Sequence, residues 1–128
     1  MKEYLMPIKL APGVRDNNYF VYVLENPFNN TIFYIGYTGN LKDRFRSHVR
    51  KTPSSIEGKA RATLIMSIHR AGEEITMTAV KSYSYRGLAM KFESTMIYEA
   101  YDRNEPLLNA PSKHLQSNLE WHLNSIPS

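Results

Sequence analysis

The chain has no cysteine. That excludes a disulfide frame and any thiolate metal site. No apolar run approaches the length of a membrane span, and the first residues carry no signal-like apolar core. Both absences predict a soluble, cytoplasmic protein. No glycine-rich phosphate loop and no nucleophile elbow occur, so P-loop and serine-hydrolase chemistry find no motif here. The four histidines, His48, His69, His114 and His122, lack zinc spacing. Acids are the scarcer charge, 12 Asp and Glu against 16 Lys and Arg, for a net charge of +4. Such a balance favours polyanionic partners without requiring them.

What is present is a chain of 128 residues rich in tyrosine, with 9 of them. That length predicts one domain with a core of its own. Positive charge is concentrated in one stretch. Lys42, Arg44, Arg46, Arg50 and Lys51 face a single acid, Asp43, over residues 41–51. A local basic excess of this kind is the usual footprint of nucleic-acid binding.

Residues 1–18 carry Pro7, Pro12 and Gly13 and no clean period, which predicts an extended arm with at most a short strand around residues 4–10. Residues 19–25 and 31–36 are β-branched and aromatic and flank a turn with Pro27, Asn29 and Asn30, a hairpin pattern. Asn40 is a plausible N-cap for a helix to about Lys51, with Leu41, Phe45 and Val49 as its buried stripe. A second helix is predicted over 59–70, with Ala62, Ile65, Met66 and His69 near one face and Gly72 at its end. A strand over 75–81, a helix over 87–103 and a last amphipathic helix over 112–125 follow. The order β-β-α-α-β-α, plus an extra C-terminal helix, predicts an α/β fold of the α+β type. Its sheet is small, three-stranded and antiparallel, flanked by helices. The arm covers 1–18, the central domain 19–110, and 111–128 forms a helix packed on it.

Several residues admit both a chemical and a structural reading. Glu93 falls on the apolar side of its helix with Ala89, Met96, Ile97 and Ala100. A carboxylate there needs a cationic partner or a metal, and helix geometry alone leaves both open. Arg44 and His48 are one turn apart beside the apolar stripe, and Lys51 extends their row. Lys42, Arg46 and Arg50 form a second row, on a wet face able to touch phosphates. If the hairpin pairs symmetrically, Tyr22 and Tyr34 sit near each other, as a packed pair or as two hydroxyls aimed at a substrate. His69 and His122 lie on apolar stripes and read as satisfied core residues. His114 sits at a helix start. Trp121 lies off the last helix's stripe, at a rim or on a partner surface.

Taken together, these pieces resemble the GIY-YIG nuclease family. Phe20, Val21 and Tyr22 stand where its first signature lies, and Tyr34, Ile35 and Gly36 where its second lies. The run Y-T-G-N-L-K-D-R-F-R-S-H leads to Arg44 and His48 as the family's stretch does. K-F-E-S-T-M-I resembles its metal-binding helix and L-L-N-A its late asparagine, mapping to Glu93 and Asn109. The resemblance covers about residues 19–109. Phe20 departs from the usual first glycine. Tyr37 stands where several members carry lysine.

The resemblance implies a DNA endonuclease with one divalent cation, Mg²⁺ or Mn²⁺, held by Glu93 at the scissile phosphate and the leaving 3′ oxygen. It implies that Tyr22 helps activate water, that Tyr34 positions water or phosphate, that Arg44 neutralises charge on the phosphorane, and that His48 assists proton transfer or orients Tyr22. Gly36 and Asn109 are implied as supports. Lys42, Arg46, Arg50 and Lys51 are candidate DNA contacts. Little surface remains for base readout, so weak sequence specificity or structure selectivity is expected, and a homodimer is conceivable. The alternatives are a non-catalytic nucleic-acid-binding module and a purely structural domain on the same fold.

Overall fold

The computed structural model describes residues 7–50, 56–109 and 113–127, without the side chains of 56 and 57. The elements run β1 (Ile8–Leu10), β2 (Tyr19–Asn26), β3 (Thr31–Thr38), α1 (Leu41–Arg50), α2 (Ile56–Arg70), β4 (Thr76–Tyr83), α3 (Arg86–Asp102) and α4 (Leu115–Leu123).

The sheet has four strands in the order β1-β4-β2-β3 and is mixed, which corrects the expectation of three antiparallel strands. β2 pairs antiparallel with both β3 and β4, as the hairpin pattern implies. The addition is β1, which lies parallel to β4 through Ile8↔Met77, Lys9↔Thr78 and Leu10↔Ala79. It falls within residues 4–10, where the sequence allowed a short strand, but its place in the sheet was not expected. What recruits it is the free edge of β4, whose backbone groups need partners. Met77 donates to the Pro7 carbonyl and Ala11 to that of Ala79.

Both faces of the sheet are covered. Phe20, Tyr22 and Leu24 of β2 pack with Leu41 of α1, Leu64 and Ile68 of α2 and Leu119 of α4. Val21 and Val23 point the other way, onto Ala89 and Ala100 of α3. A central strand buried on both sides should be nearly all apolar, and β2 is. Two bulges set which residues share a face. One lies in β3 opposite Leu24/Glu25, the other in β4 opposite Val21/Tyr22. The first lets Phe33 and the next residue, Tyr34, both serve the α1/α2 side.

The helices follow the sequence with one rotation. α1 begins where expected, because the Asn40 side chain accepts from the Asp43 amide at 3.0 Å. Its last predicted residue, Lys51, lies outside the described residues. α2 starts earlier than expected and buries Ala60, Leu64, Ile65 and Ile68. Met66 is 49% exposed and His69 is exposed, so the predicted Ala62/Met66/His69 face is corrected. Two overlapping apolar stripes run along this helix, and only the neighbouring sheet selects one. Gly72 ends α2 at φ 90°, with the Glu73 amide bonded back to Ile68.

The predicted helix over 112–125 is shorter, Leu115–Leu123. It is pinned by His122, which is fully buried. Its Nε2 donates to the Pro106 carbonyl at 2.8 Å, while Nδ1 accepts from Asn26 at 3.2 Å. This fits the satisfied core reading of His122. Trp121 stays half exposed against the His122 ring. Among the described residues no helix is long and apolar enough to cross a membrane.

Candidate active site

At the β2–β3 end of the sheet, where β3 is an outer strand, lies a cleft of about 420 Å³. Tyr19, Tyr22, Tyr34, Tyr37, Gly39, Arg44, Arg86 and Glu93 line it. Its residues come from β2, β3, α1 and α3, so both layers of helix meet here.

Gly36 makes that meeting possible. It faces Tyr22 across the hairpin, and Tyr34 faces Leu24. The symmetric Tyr22–Tyr34 pairing is thereby corrected to a diagonal one, with ring centroids 6.3 Å apart. A Cβ on Gly36 would lie 2.5 Å from the Tyr22 hydroxyl and 2.7 Å from the ring carbon bearing it. Without that Cβ the hydroxyl end of the Tyr22 ring packs against Gly36 and meets His48.

The Tyr22 side chain is fully buried, and its hydroxyl shares a 2.7 Å hydrogen bond with His48 Nε2. His48 is buried on α1, one turn past Arg44, and also meets the Tyr34 ring edge-on at 5.2 Å. Burial holds the His48 pKa down, to about 3, and Arg61 and Arg44 add to that. The ring is therefore neutral in the free protein, and the same burial and arginines oppose its protonation. Burial pushes the Tyr22 phenol well above its ordinary value; Tyr34 adds to this, while Arg44 and Arg61 oppose it. Tyr34 is raised as well, again by burial first.

Glu93 enters from α3 and is half-buried. Among the described residues it has no ion pair within 4.0 Å, so the ion-pair reading finds no partner there. Burial raises its pKa, with Arg44 acting against the rise. No cluster of three or more metal-type side chains exists among the described residues. A lone carboxylate beside an open cleft suits a hard cation that takes its other ligands from water and substrate phosphate. The residues present fit Mg²⁺ or Mn²⁺ in that manner.

Asn109 does not touch the cleft. Its buried side chain accepts from the Ile35 amide at 2.9 Å and donates to the Ile35 carbonyl at 2.7 Å. It thus acts as a surrogate strand on the free edge of β3, one residue before Gly36. The Tyr101 hydroxyl holds its carbonyl at 2.7 Å. Lys42, Arg46 and Arg50 are exposed on α1, and Arg46 pairs weakly with Asp43 at 3.6 Å. Arg44, Arg46 and Arg50 line a polar hollow beside the cleft. Lys51, placed with them from the sequence, lies outside the described residues.

Two residues at the site carried no motif. Arg86, at the start of α3, donates to the Tyr37 hydroxyl at 3.2 Å and lines the cleft. Arg61, on α2, places its guanidinium carbon 4.8 Å from the Tyr34 ring centroid. A signal for Arg61 did exist: it shares a helical face with the buried Ile65 and Ile68, four and seven residues on.

A model of the GIY-YIG catalytic domain matches residues 18–104. The match covers more than half of the chain, and the protein belongs to the GIY-YIG family, whose fold is of the nuclease type. The members of that family are nucleases, that is, hydrolases. Comparison with curated proteins and with solved structures found no match.

Proposed function

We propose that this protein is a divalent-metal-dependent endonuclease that hydrolyses DNA phosphodiester bonds, with weak sequence specificity or structure selectivity. One observation carries the proposal. The buried Tyr22 hydroxyl is bonded to a neutral His48, and Tyr22 lines a cleft together with Glu93, a carboxylate with no ion-pair partner among the described residues.

Glu93 would hold the cation, which supplies Lewis-acid charge at the phosphate and the leaving 3′ oxygen. The remaining steps belong to the chain. With His48 protonated on Nδ1, its Nε2 accepts the Tyr22 proton once the substrate phosphate is in place. The negative charge of that phosphate offsets Arg44 and Arg61, which with burial oppose the imidazolium in the free protein. The phenolate takes a proton from the attacking water as the water oxygen bonds to phosphorus. The bond from phosphorus to the 3′ oxygen breaks, that oxygen is protonated from solvent, and His48 releases its extra proton to solvent, so that one water is consumed and the protein is restored. The products are a 5′-phosphate and a 3′-hydroxyl. In the free protein burial opposes ionisation of Tyr22, while Arg44 and Arg61 favour it. Arg44 also faces the charge that develops on the phosphorane oxygens. Tyr34 orients the water or the phosphate, and Lys42, Arg46 and Arg50 contact the flanking backbone.

The test is nicking of supercoiled plasmid in Mg²⁺, Mn²⁺ or EDTA by wild type and Glu93→Gln, with a panel of single-stranded, branched and duplex DNA. Metal-dependent nicking is expected. The variant should lose it while keeping its Tm and its DNA affinity in EDTA. Salt-dependent binding without nicking in either metal would point to the binding module instead. Neither binding nor nicking would leave a structural domain.

A further inference from the structure

We propose that Arg61, beside this cleft, is a binding and positioning residue, one that clamps the Tyr34 ring and holds the DNA phosphate next to the scissile one. The inference rests on the nuclease reading and extends it to α2, which none of the motif residues occupies.

Position comes first. Arg61 is half-buried on α2, and its guanidinium carbon lies 4.8 Å from the Tyr34 centroid. A guanidinium over a ring uses its face there and keeps its in-plane N–H groups for another partner. Among the described residues no carboxylate lies within 4.0 Å of it.

Charge comes next. Arg44 and Arg61 both act on Tyr22, Tyr34 and His48. Positive charge from two elements, α1 and α2, thus favours an anion among these groups. The planar fork of arginine matches phosphate in two-point fashion.

The choice of phosphate follows from the layers. Tyr34 packs on the α1/α2 side of the sheet, and Glu93 comes from α3 on the opposite side. Glu93 and Arg44 line the cleft, whereas Arg61 does not. The anion at Arg61 is therefore a neighbour along the strand, not the phosphate that Glu93 serves.

The experiment compares wild type, Arg61→Met and Arg61→Lys on the best DNA of the panel. Methionine keeps an unbranched apolar stem and loses the charge. Lysine keeps the charge and loses the fork. Affinity is measured in EDTA over a salt series, and single-turnover nicking is measured at saturating enzyme. Arg61→Met should bind several-fold more weakly at low salt, and its salt slope should fall by about 1. Arg61→Lys should keep the wild-type slope and nick roughly tenfold more slowly at saturation, because the Tyr34 ring is no longer held. Melting curves serve as the control for folding, and if Arg61→Met fails to fold, the lysine variant decides. A wild-type slope in Arg61→Met overturns the phosphate contact. A wild-type rate in Arg61→Lys overturns the clamp. If wild type itself neither binds nor nicks, the nuclease reading falls and takes this one with it. If wild type does both and only the variants disagree, the Arg61 assignment fails alone.

Discussion

Adding one methyl group at Gly36 tests the architecture of the cleft more sharply than removing a catalytic side chain. In Gly36→Ala the new Cβ would stand 2.5 Å from the Tyr22 hydroxyl and 2.7 Å from the adjacent ring carbon. The Tyr22 side chain is buried in the core it shares with Phe20, Leu24 and Leu41, so the ring can yield only toward the cleft that it lines. Overpacking of this kind costs about 1–3 kcal/mol. Any retreat of the ring also lengthens the 2.7 Å bond to His48, whose net worth is on the order of 1 kcal/mol. We expect a loss of about 2 kcal/mol, and a Tm lower by roughly 6–10 °C for a domain of this size. Nicking should fall by more than the loss of folded protein explains, since the displaced hydroxyl is the proposed proton donor to His48. The companion is Tyr22→Phe, which should abolish nicking while the ring still packs. In the Phe background the alanine should cost less, because the nearest of the two contacts is gone while the ring carbon remains. The assays are thermal melting and single-turnover nicking of the four members of this cycle. An unchanged Tm in Gly36→Ala would refute the packing argument. An equal penalty in both backgrounds would show that the hydroxyl is not the atom in the way.

Two further outcomes are expected. Arg44→Ala should lower single-turnover nicking on the order of 10²-fold or more, whereas Arg46→Ala should act mainly on affinity, because Arg44 lines the cleft and Arg46 only the hollow beside it; equal rate losses would contradict this. Stability should fall as pH drops below the ordinary histidine value of 6.5, since burial lowers the pKa of both His48 and His122 and the unfolded chain then binds protons that the folded one refuses. The stability present above that value is lost progressively on the way down, and a Tm that is level from pH 7.5 to 5.5 would refute it.

Several features were legible because they are local. Asn40 caps α1 and Gly72 ends α2, as their side-chain chemistry predicts. The 3.6-residue period placed Arg44 and His48 on one row of α1, where His48 is buried and Arg44, though exposed, lines the cleft, and left Lys42, Arg46 and Arg50 exposed on the other. The same period put Glu93 on the apolar side of its helix. Order and spacing of short motifs then carried the family, because they survive in one dimension.

What stayed hidden depends on partners distant in the chain. β1 is a strand only because β4 offers it an edge. The buried stripe of α2 was ambiguous until a sheet face chose between two candidates. The register of the hairpin was invisible, because a bulge shifts the pairing and places Tyr22 over Gly36 rather than beside Tyr34. Arg61 reaches Tyr34 from 27 positions away in sequence, through the packing of α2 on the sheet. By itself, then, the sequence determined the element types, the family and the candidate chemistry, all of which rest on residue identity and near-neighbour spacing. Only the tertiary structure decided which hydroxyl meets which imidazole and which cation faces which ring, because those contacts depend on strand register and layer packing that no local pattern encodes.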